Sequence, residues 1–217
     1  MTILIAESGS GYGGTAKYLC ELLSVMDRSR YDIQVLAARE GPFITKMRAQ
    51  GVPILLHPGW RFPWGESEAS NAKFASYAWY LVPGVIQLIV LVPFIAVWLK
   101  RRRIGLVHLN NEILSHLPLL LASRLAGVRV VCHLHGWRPF TKIERWAVGC
   151  IDEFICISEA GAQYYREALK GRRVIAIPNG ILLNSHADNL DEKRKQQRLA
   201  FGLKPEERRG ASSVTAW

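Results

Sequence analysis

Two clusters of residues in this sequence have the types and spacing to do chemistry. The first is the run Gly9-Ser10-Gly11-Tyr12-Gly13-Gly14, which follows the β-branched segment Thr2-Ile3-Leu4-Ile5-Ala6 and precedes a helix-period segment. A strand, a glycine loop and a helix N-terminus together offer unpaired backbone N–H groups to an anion, and glycine lets a phosphate approach without a side chain in the way. The loop therefore reads as a phosphate or diphosphate site, with Gly13 and Gly14 nearest the helix. The second cluster is Cys132-His133-Leu134-His135-Gly136-Trp137. His135 stands where a strand ends, and Gly136 gives access to it, so the imidazole can hydrogen-bond a substrate or meet developing charge. His133, two residues earlier on the same strand face, is the other candidate for the buried position.

The spacing Gly9-x-Gly11-x-x-Gly14 also fits a dinucleotide fingerprint, which would make the chain an NAD or FAD protein. That reading needs an acidic residue at the end of the second strand, and Glu40, after Ala37-Ala38-Arg39, is a late candidate. Ser158 opens a helix, as its N-cap or as a ligand contact. Asn179-Gly180 after Pro178 is turn chemistry first and a substrate contact second. Trp137 and Arg138 either line a groove or form an exposed rim. No His, Cys and carboxylate spacing points to a metal.

The elements that must position these residues follow an alternating pattern. Strands are expected at Thr2 to Ala6, Asp32 to Ala37, Pro53 to His57, Leu106 to Leu109, Val128 to Leu134, Glu153 to Ile157 and Arg173 to Ile177. Helix-period segments lie between them at Thr15 to Met26, Phe43 to Gln50, Ile113 to Leu125, Thr141 to Val148 and Ala160 to Leu169. Strands alternating with helices give a Rossmann-like, doubly wound and mostly parallel sheet, here of about seven strands. One domain is expected over residues 1–187, followed over 188–217 by a polar surface helix from Leu190 to Phe201, a linker at Gly202-Leu203-Lys204-Pro205 and a short tail.

The 217 residues carry a formal charge of +10, with hydrophobic residues at 49%. A folded α/β domain with a real core follows from the composition, and the basic balance favours anionic partners. Nucleic acid is excluded as a partner, because the basic residues are split between two places and lack interleaved aromatics. The cysteines at 20, 132, 150 and 156 have no C-x-x-C spacing and read as buried, reduced thiols of a cytoplasmic protein. No basic segment followed by a short apolar run opens the chain, so no signal peptide is expected.

From Tyr77 to Leu99 there is no charged residue, and the stretch ends in Lys100-Arg101-Arg102-Arg103. A helix of that length reaches across the ~30 Å hydrocarbon core of a bilayer. A single span would, however, put the strands on its two sides in different compartments. Pro83, Gly84 and Pro93 interrupt it, which predicts an interfacial or re-entrant hairpin, with 77–103 as a peripheral or monotopic contact at the inner membrane face; a true span and a buried core helix are the alternatives.

Three segments in order, Cys132 to Trp137, Asp152 to Glu159 and Val174 to Ile181, together with Gly13-Gly14, resemble family four glycosyltransferases. In that family a Gly-Gly loop is followed by a strand ending in His-Gly, a strand ending in Ile-Ser and a strand followed by Pro-Asn-Gly. The resemblance covers roughly Thr2 to Leu203 and implies the N-terminal, acceptor-side domain of a GT-B fold, in which two Rossmann-like domains face each other across a cleft. It implies retaining sugar transfer from a nucleotide-sugar donor without a metal, with no other cofactor. It assigns His135 to the chemistry, and Gly13, Gly14, Gly136, Ser158, Asn179 and Gly180 to substrate or phosphate contacts. The donor site belongs to a second domain expected after the linker. Nothing in this sequence matches that domain, so the resemblance implies a truncated chain, or one working with a separate donor-domain subunit. A non-catalytic, membrane-associated remnant or scaffold is the alternative.

Overall fold

A computed structural model of the chain describes residues 1–8, 13–57, 74–110, 113–180, 190–200 and 202. The glycines at 9 and 11 and the tail from residue 203 onward lie outside the described residues. The order of elements is β1 (Thr2–Glu7), α1 (Gly14–Val25), β2 (Asp32–Ala37), α2 (Pro42–Ala49), β3 (Ile54–Leu56), α3 (Phe74–Arg101), β4 (Ile104–Asn110), α4 (Leu117–Ala126), β5 (Arg129–Leu134), α5 (Lys142–Ala147), β6 (Glu153–Cys156), α6 (Glu159–Ala168), β7 (Arg173–Ala176) and α7 (Leu190–Ala200). Residues Met1–Gly180 form one compact unit and Ile181–Trp217 another. In the second unit the described element is α7, a polar helix whose last turn carries Arg198.

The sheet of the first unit has seven strands in the order β3-β2-β1-β4-β5-β6-β7, and every pairing is parallel. Because successive side chains of a strand point to opposite faces, β1 divides its residues between two cores. Ile3 and Ile5 pack with Leu19 and Leu23 of α1 and with Phe43, Ile44 and Met47 of α2. Leu4 and Ala6 pack on the other face with Ile95 and Leu99 of α3, Leu120 of α4 and Tyr165 of α6. The chain winds outward from β1 in one direction to β3 and then restarts at β4 on the other side, so the switch point lies between the carboxyl ends of β1 and β4. In open parallel sheets ligands bind in the crevice at that point.

The expected elements are present, with ends shifted by a residue or two. The segment from Ile113 divides into a short 3-10 turn at Leu114–His116 and the helix α4, whose end is set by Gly127 at φ +70, a left-handed conformation that favours glycine. The expected hairpin is corrected, because α3 is one helix from Phe74 through Pro83 and Pro93 to Arg101. A proline deletes one backbone donor and crowds the carbonyl four residues earlier, at a cost of about 3 kcal/mol that tertiary packing of the neighbouring turns can offset. Downstream of Pro93, Ile95, Ala96 and Leu99 are buried against α4, and this contact anchors the helix past the break. Three of the cysteines are buried and all four are free; Cys150 differs from the expectation in being only partly buried.

Candidate active site

The carboxyl edge of the sheet at the switch point collects titratable and polar side chains from four elements. Register places Glu7 of β1 beside Asn110 of β4, and Asn110 beside His133 of β5. Glu7, Asn110 and His133 are all buried, at 3%, 0% and 1% exposure. His135 lies just past the end of β5, on the same face as His133 and half-buried. Its Nε2 is 2.9 Å from the Asn110 side-chain oxygen. The amide nitrogen of Asn110 donates in turn to the carboxylate of Glu7.

Imidazole rings form a ladder down this face. His133 stacks on His135 at 4.2 Å between centroids and on His108 of β4 at 5.7 Å. Tyr18 of α1 meets His133 edge-on at 5.1 Å and His135 at 5.3 Å, closing the ladder from the helix side. Burial disfavours the imidazolium, and each ring also repels a charge on its neighbours. His108 is pushed down to about 4 by burial and by the adjacent His135. His133 is pushed down to about 3 by burial and by both other rings. Burial also lowers His135 below its ordinary value, and it raises the Tyr18 hydroxyl. The ladder is therefore neutral at physiological pH. Of the two histidines left open by the sequence, His133 is the buried one, and its Nε2 has no hydrogen-bond partner.

The segment after His135 is tied down from two sides. The Tyr165 hydroxyl accepts from the Arg138 backbone N–H at 3.2 Å and lies 3.3 Å from the carbonyl of Gly136. The Arg138 guanidinium makes a two-pronged contact with Glu144, at 2.9 and 2.5 Å. Glu144, fully buried, also completes a capping box with Thr141 at the start of α5. Although burial pushes the Glu144 carboxyl up, the bonds from Arg138 and Thr141 prevail and hold it below the usual range. Trp137 is 72% exposed and meets Tyr164 edge-on at 5.7 Å, so it forms a rim, while Arg138 is engaged by Glu144.

Gly13 is the N-cap of α1 and Gly14 its first residue, so the N-cap itself brings no side chain to the first-turn N–H groups. A Cβ added at Gly13, Gly14 or Gly136 would meet nothing within 4 Å. Internal packing among the described residues does not require glycine at these positions, which leaves open space before the first-turn N–H groups of α1 and beside His135. Ser158 caps α6, its hydroxyl accepting from the Gly161 N–H at 3.1 Å. Asn179 and Gly180 follow β7 and are exposed. Ser158 thus lies one strand from β5 and Asn179 two, each strand adding about 4.8 Å of separation from His135. Among the described residues, no group of three His, Cys, Asp or Glu side chains is arranged to hold a metal.

Sequence reasoning did not single out Glu7, Asn110 or Tyr18. Only the strand order brings Glu7 and Asn110 together; the signal that was present is a polar residue at the end of each of two apolar strands, where a parallel sheet places ligand sites. Tyr18 sits among the apolar positions of α1 in the sequence and also packs edge-on against His133 and His135.

A family model described as a glycosyl transferase 4-like domain matches residues 13–180 of this chain. The chain belongs to that family. Its fold recurs in solved structures: that of Anabaena Alr3699/HepE in complex with UDP and glucose superimposes with a TM-score of 0.58 at 21% identity, covering 91% of this chain and 50% of that one. The apo form of the lipopolysaccharide outer core galactosyltransferase WaaB gives 0.54 at 15% identity, covering 85% of this chain and 47% of that one. Acinetobacter baumannii MurG gives 0.50 at 14% identity, covering 80% and 44%. This glycosyl transferase 4-like chain therefore spans about half the length of the solved structures it matches. No curated protein sequence matches it.

Proposed function

We propose that this chain is the acceptor-binding half of a retaining glycosyltransferase, moving a sugar from a nucleotide-sugar donor to a membrane-linked or polysaccharide-precursor acceptor. The observation that carries the reading is the convergence at the switch point. There the glycine-started N-terminus of α1, the neutral imidazole of His135 and the open space at Gly13, Gly14 and Gly136 lie on the carboxyl edges of β1, β4 and β5. Backbone N–H groups at a helix start suit a phosphate. A half-buried neutral imidazole suits a sugar hydroxyl. The UDP and glucose bound in the HepE structure agree with that chemistry. The fold supplies one side of a two-domain cleft, so transfer requires a donor domain, supplied by a separate subunit or by further chain. The test is sugar transfer from a UDP-sugar to a lipid extract by this chain paired with a GT-B donor domain; transfer by the pair and by neither part alone is expected, and silence in every pairing would favour the scaffold reading. The dinucleotide reading has less support: its acidic candidate Glu40 lies three residues past the end of β2, where its exposed carboxylate pairs with Arg48 at 2.8 and 2.7 Å.

The membrane part of the proposal rests on α3. Among the described residues no helix is long and apolar enough to cross a membrane. While α3 buries Ile95, Ala96 and Leu99, it exposes Ile86, Ile89, Val90, Phe94 and Val97, at 50 to 68%, on its other side. These positions recur at helical spacing and make one apolar stripe. The helix ends in Lys100 and Arg101, followed by Arg102 and Arg103, and the Arg102 guanidinium lies 5.3 Å over the Trp98 ring. An apolar stripe ending in a cationic cluster matches the depth profile of an anionic leaflet, apolar below and negative at the surface. The site would then face a bilayer-anchored acceptor from the cytoplasmic side.

A further inference from the structure

We infer that Glu7 and Asn110 are positioning residues that lock His135 in its Nε2–H tautomer, so that Nδ1 is the nitrogen presented to substrate as a hydrogen-bond acceptor. The inference deepens the proposed sugar-transfer site by naming what its imidazole can recognise, and it rests on that reading for its functional meaning.

The argument is one of donors and acceptors. An ionised Glu7 only accepts hydrogen bonds, so of the two ends of the Asn110 amide only the NH2 end can meet it, and the observed contact is from that nitrogen. With its NH2 turned to β1, Asn110 presents its oxygen to β5. An amide oxygen also only accepts, so the His135 Nε2 at 2.9 Å must carry the hydrogen. A neutral imidazole holds one proton, which leaves Nδ1 with a lone pair. No hydrogen bond to Nδ1 exists among the described residues. The arrangement is rigid for reasons of burial: Glu7 and Asn110 are 3% and 0% exposed and sit side by side in strand register, so turning the amide over would set two acceptors against each other in a site poor in water. The groups facing His135 are Asn110 of β4, Tyr18 of α1 and His133 of β5, with His108 behind His133 and Glu7 behind Asn110. No cation among the hydrogen-bond, ring and ion-pair contacts of His135 competes for its lone pair. A fixed acceptor recognises an O–H or N–H donor, such as a sugar hydroxyl. It does not bind a phosphate oxygen, which is left to the N–H groups of α1.

Histidine-selective 15N labelling of the full chain, with long-range proton–nitrogen correlation of the ring signals, reads the tautomer directly and needs neither donor nor acceptor. The result thus stands or falls separately from sugar transfer. In the wild type His135 is expected wholly as Nε2–H at pH 7.5. In Glu7→Gln the new side chain can donate as well as accept, so Asn110 is free to turn over, and a substantial Nδ1–H population should appear. In Asn110→Asp two carboxylates meet in the buried site and hold one proton between them, so an acceptor toward Nε2 remains and the shared negative charge moves closer to His135; the Nε2–H form should persist while the His135 titration midpoint rises. The Asp variant decides the matter should the Gln variant not fold. An Nδ1–H tautomer in the wild type, a tautomer ratio unmoved by Glu7→Gln, or a midpoint unmoved by Asn110→Asp would overturn the inference. If the NMR outcome holds while no pairing with a donor domain transfers sugar, the relay stands and the functional reading falls.

Discussion

At the residue scale the site is defined by histidines kept neutral. His108, His133 and, in the 3-10 turn before α4, the buried His116 are pushed below the ordinary value near 6.5 to about 4, 3 and 3, in each case first by burial. Their folded values are depressed, so the unfolded chain takes up protons that the fold refuses. Their contribution is complete above about pH 6.5 and is lost as pH falls toward the folded values. Each contributes a slope of at most about 1.4 kcal/mol per pH unit, and the three together about 4. Denaturant melts should therefore show stability dropping steeply between pH 6.5 and 5, before carboxylates begin to titrate; a flat profile there would mean that these rings are solvated. The glycines make a second residue-scale case. With nothing within 4 Å of a Cβ at Gly13 and with φ at −86, Gly13→Ala meets no clash and should cost only what a poorer N-cap costs, about 1 kcal/mol or less. If phosphate approaches there, the same variant should lose most transfer in the paired assay. The depth of the two site histidines was not legible in the sequence, since positions two apart share a face and only the sheet edge says which is covered. The Gly-Gly loop and the His-Gly strand end were legible because their chemistry is local.

At the element scale, strands and helices were readable wherever β-branched runs and helical periodicity agreed with the tertiary fold, as in β1, β2, β5 and α1. The apolar helix shows where local reading stopped. Pro93 argued for a break, yet Ile95, Ala96 and Leu99 beyond it pack into the core, and that long-range contact is invisible to a window of sequence. The opposite side of the same helix yields a prediction: Phe94→Glu, at a position 65% exposed, should leave folding intact while cutting flotation with anionic liposomes several-fold. Unchanged flotation would remove α3 as the membrane contact. The strap after β5 gives another. Glu144 is buried beneath Arg138 and the α5 cap, so Glu144→Ala strands a cation's partner site and deletes the capping box. A loss of about 2–4 kcal/mol in a denaturant titration is expected. A loss under 0.5 kcal/mol would show that Tyr165 alone holds the segment.

At the scale of the whole molecule, a doubly wound parallel sheet was the most legible feature, because alternation along the chain survives errors at any one boundary. Strand order was not legible, and it is strand order that sets Glu7 beside Asn110 and brings α1 against His135. Residues 13–180 match the glycosyl transferase 4-like family, and the chain spans about half the length of the HepE, WaaB and MurG structures whose fold it shares. The most direct measurement is the rate of sugar transfer from a UDP-sugar to a lipid extract by the chain paired with a GT-B donor domain, compared between wild type and His135→Ala. The account predicts transfer by the wild-type pair and a fall of about a hundredfold in the variant at equal folding. Equal rates for the two chains would contradict it.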